Sequence, residues 1–285
     1  MRVVRTKAEV REALAVARRA SETVALVPTM GSLHAGHLSL LRAARARCDL
    51  VLMSLFVNPT QFGPGEDLDA YPRDEARDVE RARKAEVDLL YAPRADEVYP
   101  HGFATNIEVE GGLTDVLEGA PEARGPGHFR GVTTVVAKLL NTVSPDVAFF
   151  GQKDAQQAIV IRRMVRDLDF DVEIEVLPTV REPDGLALSS RNAYLTEAER
   201  RRAVGLSRAL EAAKVVAARG ETRPEPVLAA ASAELRRSGI EPEYLEARDA
   251  ETLAPATSLN GRPVLVAVAA RVGGARLIDN VLIGG

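Results

Sequence analysis

The segment Pro28-Thr29-Met30-Gly31-Ser32-Leu33-His34-Ala35-Gly36-His37 sets two imidazoles three residues apart, where an apolar strand gives way to a helix. Val24 to Val27 read as a short buried strand, Pro28 and Gly31 interrupt it, and Leu38, Leu40, Leu41, Ala44 and Arg45 follow with helical spacing. Side chains at i and i+3 share a helix face, so both rings can point the same way. The helix start adds unpaired backbone N–H groups and the positive end of its dipole, which together favour a bound anion such as a nucleotide phosphate. Two other readings of H-x-x-H stay open here. It can bind zinc, although with four histidines and one cysteine in the chain a third protein ligand would have to be a carboxylate. Alternatively both rings sit at a helix start exposed to solvent.

Four further segments carry groups of the same kind. Asn58-Pro59-Thr60-Gln61-Phe62 follows a strand-like run, and its amides can donate to and accept from a small polar ligand. Gly125-Pro126-Gly127-His128-Phe129-Arg130-Gly131 reads as a constrained loop before a helix. In Gly151-Gln152-Lys153-Asp154-Ala155-Gln156-Gln157, Lys153 can reach phosphate as a point charge, and Asp154 can accept from ribose or cap a helix. Ser189, Ser190 and Arg191, within Asp184 to Asn192, can hold a polyphosphate through two hydroxyls and a bidentate guanidinium. Taken singly, each segment is equally readable as a polar turn.

The elements that must position these groups alternate. Thr6-x-x-Glu9 is a capping-box signal for a first helix. Strands are predicted at 24–27, 50–57, 88–91, 147–150 and 172–176, with helices at 36–47, 74–84, 132–142 and 154–167. Such alternation predicts βαβ units, an α/β fold with a parallel sheet covered by helices on both faces. Right-handed crossovers then bring the strand-to-helix loops to one edge. The pattern changes after about residue 179, giving expected units of 1–179 and 180–285. Thr196-x-x-Glu199 caps a long helix ending near Gly220, Pro224 and Pro226 read as a polar connector, and a helix follows at about 227–237. Strand-like runs at 243–247 and 263–272 then lead through a Gly273-Gly274 hairpin turn into 275–279, a small α+β unit.

Composition narrows the function. The chain has 285 residues, a net charge of −4 and 46% hydrophobic residues, with Arg interspersed among Asp and Glu. It lacks a broad basic face for nucleic acid, an apolar run long enough to span a bilayer and a signal sequence, so no nucleic-acid or membrane partner is expected. A single cysteine excludes an intramolecular disulfide framework and agrees with a reducing, cytoplasmic setting. Neither a P-loop nor G-x-G-x-x-G is present, which counts against a P-loop kinase and a dinucleotide dehydrogenase.

The stretches PTMGSLHAGHLSL, FVNPTQFGPGEDLDAYPR, GHFRGVTTVV, FFGQKDAQQ and DGLALSSRN, in this order, resemble the pantothenate synthetase (pantoate–β-alanine ligase) family, within the wider nucleotidylyltransferase group that shares H-x-G-H. The resemblance runs nearly end to end. It implies a Rossmann-like doubly wound parallel sheet, a smaller C-terminal domain covering the nucleotide, a homodimer, and ATP with Mg²⁺. It further implies that pantoate attacks the α-phosphate of ATP, releasing pyrophosphate, and that the β-alanine amine then attacks the pantoyl adenylate, releasing AMP.

By position, the resemblance implies that His34 and His37 contact ATP phosphates, Lys153 binds the polyphosphate, and Ser189, Ser190 and Arg191 close over it. Gly151, Asp154 and Val180 match positions at ribose or adenine. Gln61 and Gln157 match the pair that holds pantoate, with Met30 against its dimethyl carbon and Asn58 near the incoming amine. Asp78 matches the acidic, magnesium-binding position. The chain departs from the family twice, with Arg77 in place of a second acid and Gly125 in place of an arginine that Arg124 would replace. Two rival functions stay open: a nucleotidyltransferase that leaves the nucleotide monophosphate on its product, and a nucleotide-binding regulator without turnover.

Overall fold

A computed structural model describes every residue except Pro64, Asp67 and Gly285. Pro64 and Asp67 belong to the 56–73 stretch that carries part of the resemblance, and Gly285 to the expected C-terminal unit; all three lie outside the described residues. In chain order the elements are β1 (Arg2–Val4), α1 (Lys7–Arg19), β2 (Val24–Thr29), α2 (Ala35–Arg47), β3 (Leu50–Leu55), α3 (Glu75–Lys84), β4 (Leu89–Tyr91), α4 (Ala95–Val98), α5 (Pro126–Val143), β5 (Val147–Gly151), α6 (Ala155–Asp167), β6 (Glu173–Leu177), α7 (Glu197–Ala218), α8 (Pro224–Arg237), β7 (Pro242–Asp249), β8 (Val264–Val272) and β9 (Ala275–Ile283).

The first six strands form one parallel sheet in the order β1-β4-β3-β2-β5-β6. Val24-Ala25-Leu26-Val27 is apolar throughout because both faces of β2 are covered. Val24 and Leu26 join a cluster with residues of α1, α5 and α6, whereas Ala25 and Val27 join one with residues of α2. The chain steps outward from β2 through β3 to β4, then returns to the opposite side of β2 with β5. That reversal is a topological switch point, and the crevice beyond the strand ends there is where such sheets bind ligands. Met30–His34 leave β2 at this crevice, and Gln152–Lys153 leave β5 at it.

The remaining strands form an antiparallel sheet, β7-β8-β9. Val264, Val266, Val268 and Ala270 of β8 pack among residues of α7 and α8, while Leu265 and Ala267 on the other face enter the core of the parallel-sheet unit. The second sheet is therefore held between its own helices and the first unit. Capping boxes form at Thr6 with Glu9 and at Thr196 with Glu199, and Gly273-Gly274 makes the two-residue hairpin turn, as the sequence predicts. No helix among the described residues is long and apolar enough to cross a membrane.

The structure differs from the sequence reading at five elements. A three-residue edge strand, β1, precedes the first helix and pairs with β4; it is too short to show a period. Helix α5 begins at Pro126, not at 132, because Gly125 at φ +77° serves as its N-cap and proline suits the first helical position. Likewise Pro224 and Pro226 lie in the first turn of α8, where the missing N–H groups have no helical acceptor to lose. The run at 50–57 is a strand only to Leu55, and β9 continues to Ile283.

Candidate active site

The H-x-x-H segment is shaped by a carboxylate beneath it. Gly31 and Ser32 have φ of +87° and +50°, turning the chain sharply between β2 and α2. A Cβ on Gly31 would lie 2.8 Å from Asp78 Oδ2, so the turn needs glycine. Asp78 is 2% exposed; its Oδ2 accepts from the Ser32 N–H at 2.8 Å and its Oδ1 from the Leu33 N–H at 2.8 Å. Both oxygens face backbone donors and anchor the turn, which is the role the structure shows for the residue matched to the magnesium-binding position. Among the described residues no group of three His, Cys, Asp or Glu side chains converges as a metal cage, so the zinc reading finds no third ligand either. Asp78→Asn is expected to cost about 1–3 kcal/mol of stability, because the new NH₂ opposes a backbone N–H. Thermal melting would show that loss, while the Mg²⁺ dependence of turnover should stay unchanged. A large rise in the Mg²⁺ requirement with a normal melting point would restore the ligand role.

His34 is the N-cap of α2, and its ring lies 4.1 Å from that of His37 between centroids. Both are half-buried, which removes the solvent-exposed reading. His34 Nδ1 accepts from the Gly36 N–H at 3.2 Å, and His37 Nδ1 accepts from the His34 N–H at 3.3 Å. These bonds assign the ring protons to Nε2, leaving two Nε2–H donors pre-aimed from one helix start. Burial, followed by the charge of Lys153, pushes the His34 imidazole down to about 4. Burial, followed by His34 itself, pushes His37 down to about 3. Both rings are thus neutral at physiological pH and act as donors, not as cations.

Lys153 comes from the short 3₁₀ turn that joins β5 to α6. Its ammonium lies 3.5 Å from Asp154 Oδ1. Although the cleft wall raises the Asp154 carboxyl, Lys153 and then Arg191 overcome that and hold it below the usual carboxylate range. Ser189 caps a 3₁₀ turn over Ser190–Tyr194, and its hydroxyl accepts from the Arg191 N–H at 3.3 Å. Met30, His34, His37, Asn58, Gln61, Gly151, Lys153, Asp154, Gln157, Val180, Ser189, Ser190 and Arg191 all line one cleft of about 600 Å³. Of the residues predicted from sequence, only Asp78 lies outside it.

Within this cleft Asn58 has a different standing from its neighbours. It is 1% exposed, and its Nδ2 donates to Gln61 Oε1 and to the Gly131 carbonyl, each at 3.1 Å. Its Oδ1 accepts from the Tyr99 hydroxyl at 2.8 Å and from the Thr60 hydroxyl at 2.9 Å. Asn58, which the resemblance matches to a position near the incoming amine, is thus engaged on both sides of its amide, and one of these bonds orients Gln61. The Gln61 Nε2 is left against the thioether of Met30 at 3.1 Å, a weak acceptor that a ligand oxygen would displace with gain. A Cβ on Gly131 would lie 2.3 Å from the Thr60 carbonyl oxygen, so this glycine lets α5 press against the Gln61 turn.

His128 and Arg124 complete that wall. His128 Nδ1 donates to the Gln61 carbonyl at 2.8 Å, and its Nε2 faces the Arg124 guanidinium at 3.2 Å. Burial and then Arg124 push this imidazole down to about 4. Arg124 also holds Glu66 at 2.6 Å, so the arginine beside Gly125 is tied to the cleft wall.

Three groups in the cleft were not singled out from sequence. Glu118, 9% exposed, accepts two bonds from Arg276 at 2.6 and 2.8 Å and one from the Tyr244 hydroxyl at 2.9 Å. Thr179 Oγ1, beside Val180, is buried with no hydrogen-bond partner among the described residues. Asn280 of β9 bonds the turn that bears Lys153. The partners of Glu118 and Asn280 are distant in sequence, so no local spacing announces these two.

Comparisons with known proteins agree with this geometry. The family model described as pantoate-beta-alanine ligase matches residues 2–282. The pantothenate synthetase of Moorella thermoacetica is 54% identical over 284 residues, covering 99% of each chain. The crystal structure of pantothenate synthetase from Thermus thermophilus superposes with a TM-score of 0.91 at 51% identity, covering 99% of both chains. The pantoate-beta-alanine ligase of Francisella tularensis, solved as a complex with beta-gamma ATP and beta-alanine, gives a TM-score of 0.81 at 31% identity over 99% of this chain and 97% of that one. A sheet reversal carrying closely apposed neutral imidazoles opposite a lysine, matched along almost its whole length by such relatives, establishes that this chain belongs to the pantoate-beta-alanine ligase family.

Proposed function

We propose that this enzyme condenses pantoate with β-alanine at the expense of ATP, through a pantoyl-adenylate intermediate. In the first step a pantoate carboxylate oxygen bonds to the α-phosphorus and the bond to pyrophosphate breaks. In the second the neutral amine of β-alanine attacks the acyl carbon, AMP leaves, and the amine proton is lost to solvent. A carboxylate with a pKa near ~4 is already ionised at neutral pH, so the first step needs no general base. What it needs is positive charge and fixed donors where two anions meet.

The single observation that carries the reading is the closely apposed, neutral His34–His37 pair with Lys153 near enough to depress its titration. The two Nε2–H groups would bond the phosphate oxygens, and the ammonium of Lys153 would take the charge that grows on the leaving pyrophosphate. Ser189, Ser190 and Arg191 would close over the polyphosphate, with Gly151, Asp154 and Val180 at the nucleoside. Gln61 and Gln157 would hold pantoate by its hydroxyls and carboxylate, with Met30 against its methyl groups. Asn58 serves this site by fixing Gln61. With Asp78 engaged by backbone, Mg²⁺ fits as the nucleotide's own counter-ion, held by phosphate oxygens and water in the usual manner of that ion.

The same reading divides the chain into a nucleotide- and pantoate-binding unit, 1–179, and a smaller covering unit, 180–285, in a cytoplasmic homodimer. Support for the division is the change from parallel to antiparallel sheet; support for the dimer is family resemblance, and sedimentation tests it. For the reaction, labelled pyrophosphate should exchange into ATP only when pantoate is present, and AMP should accumulate only when β-alanine is added. Exchange driven by free amino acids, or a nucleotidyl product formed without amine, would defeat the proposal. ATP binding without any turnover would favour the regulator instead.

A further inference from the structure

The ammonium of Lys153 is held by a turn, and the turn is held from the other sheet. Asn280 of β9 is 6% exposed. Its Nδ2 donates to the Lys153 carbonyl at 2.8 Å and to the Gln152 carbonyl at 3.0 Å, and its Oδ1 accepts from Gln152 Nε2 at 3.0 Å. Asn280 pairs across the strands with Ala267, the β8 residue whose side chain enters the core of the first unit. Directly opposed residues of an antiparallel pair share a face, so the amide projects toward the start of α6. The adjacent Asp279, 3% exposed, accepts from Arg181 at 2.6 and 2.9 Å and from the Asn280 N–H at 2.8 Å. One dipeptide of β9 therefore grips both the lysine turn and the chain leaving β6.

We propose that Asn280 is a positioning residue for Lys153, so that the lysine reaches its phosphate-binding place only while the antiparallel sheet is docked on the parallel one. The proposal rests on the phosphate role given to Lys153 above. Asn280 touches no reacting atom; it acts through two carbonyls. The turn is short, and a shift at its backbone moves the ammonium with it. Displacements of about 1 Å at a positioned group can cost on the order of 100-fold in rate. Asparagine is suited to the task because one amide both donates to two carbonyls and accepts from a neighbouring amide.

A double-mutant cycle tests it. Pantoate-dependent pyrophosphate exchange at saturating substrates is measured for Asn280→Ala in the native and in the Lys153→Ala backgrounds. The rate should fall on the order of 100-fold in the first and less than about threefold in the second, because the lysine through which Asn280 acts is already gone. The KM for pantoate should stay within about twofold, since Gln61 is fixed from β3 and α5, away from β9. Gln152→Ala, which removes only the bond to Asn280 Oδ1, should remain close to the native rate. Asn280→Ser, with one donor in place of two, should give an intermediate loss and keeps the cycle readable if the alanine variant lacks a cooperative melt. Equal losses in both backgrounds mean general loosening of the sheet contact and overturn the proposal. A Lys153→Ala enzyme as fast as the native one would instead overturn the phosphate role beneath it.

Discussion

Replacing Lys153 by alanine is expected to slow pantoate-dependent pyrophosphate exchange on the order of 10²–10³-fold, the loss seen when one pre-aimed donor to a developing anion is removed. The melting temperature should barely move. Among the described residues the ammonium has only the half-exposed carboxylate of Asp154, at 3.5 Å, as its ionic partner, and exposed pairs of that kind contribute little. The burden on Lys153 is large because the two imidazoles beside it are neutral. With His34 at about 4 and His37 at about 3, neither carries positive charge at pH 7, so on the proposed mechanism the lysine and Arg191 would supply the cationic field while the rings would supply direction. His34→Ala and His37→Ala should therefore also lower the exchange rate with a normal fold, and the native pH profile should show no step near 6.5. A step there would mean that a ring titrates in the ordinary range and acts as an acid. An unchanged rate in Lys153→Ala, with ATP still saturating, would remove the lysine from the mechanism.

Much of this arrangement was legible in the chain because its signals are local. Val24 to Val27 must be covered on both faces, His34 and His37 share a helix face by spacing, and Thr6-x-x-Glu9 and Thr196-x-x-Glu199 close their own caps. The departures at α5 and α8 fall at proline and glycine, which local spacing alone reads as breaks. Gly125-Pro126 and Pro224 satisfy helix starts as well as they satisfy loops, and only the covered surface decides between them. The backbone and side-chain partners of Asp78 and Asn58 were not legible for another reason. A buried carboxylate or amide in a loop-rich site can face a ligand or face the backbone, and the choice depends on which N–H groups the fold leaves unpaired. Here Ser32 and Leu33 present such donors to Asp78, and Thr60, Tyr99, Gln61 and Gly131 consume Asn58. The bonds from Glu118 to Tyr244 and Arg276 join segments that no spacing rule connects.

Those long-range bonds would give the antiparallel sheet a part in the proposed chemistry. Glu118 with Arg276 and Asn280 with the Lys153 turn join the antiparallel sheet to the first unit at the cleft, and Arg181 with Asp279 ties that sheet to the chain leaving β6. Burial raises the Glu118 carboxyl, yet the guanidinium of Arg276 outweighs it and holds the acid below the usual range, so the pair is ionic at neutral pH. Breaking one partner of so buried a pair leaves an uncompensated charge. The docked arrangement is thereby favoured as a unit.

Acid should destabilise this protein well before its carboxylates are titrated. Three imidazoles, His34, His37 and His128, are held at about 4, 3 and 4 in the fold. In the unfolded chain each returns to about 6.5. Above that value both states are neutral and the histidines contribute no pH dependence. As pH falls below it, the unfolded chain takes up protons that the native state refuses, so stability declines toward the folded values. Linkage sets the loss at roughly 2 kcal/mol per histidine between pH 7 and pH 5. For His128 the refusal has a visible cause: Nδ1–H is committed to the Gln61 carbonyl, so an added proton would sit on Nε2 facing the Arg124 guanidinium at 3.2 Å. Urea unfolding at the two pH values should show a lower midpoint at pH 5. His128→Asn keeps a donor for the Gln61 carbonyl but cannot titrate, and it should shrink that difference by about a third, the share of one proton among three. A midpoint that does not fall between pH 7 and pH 5 would mean that the rings protonate as freely in the fold as in water, and the neutral donors assigned to the adenylation step would be lost with it.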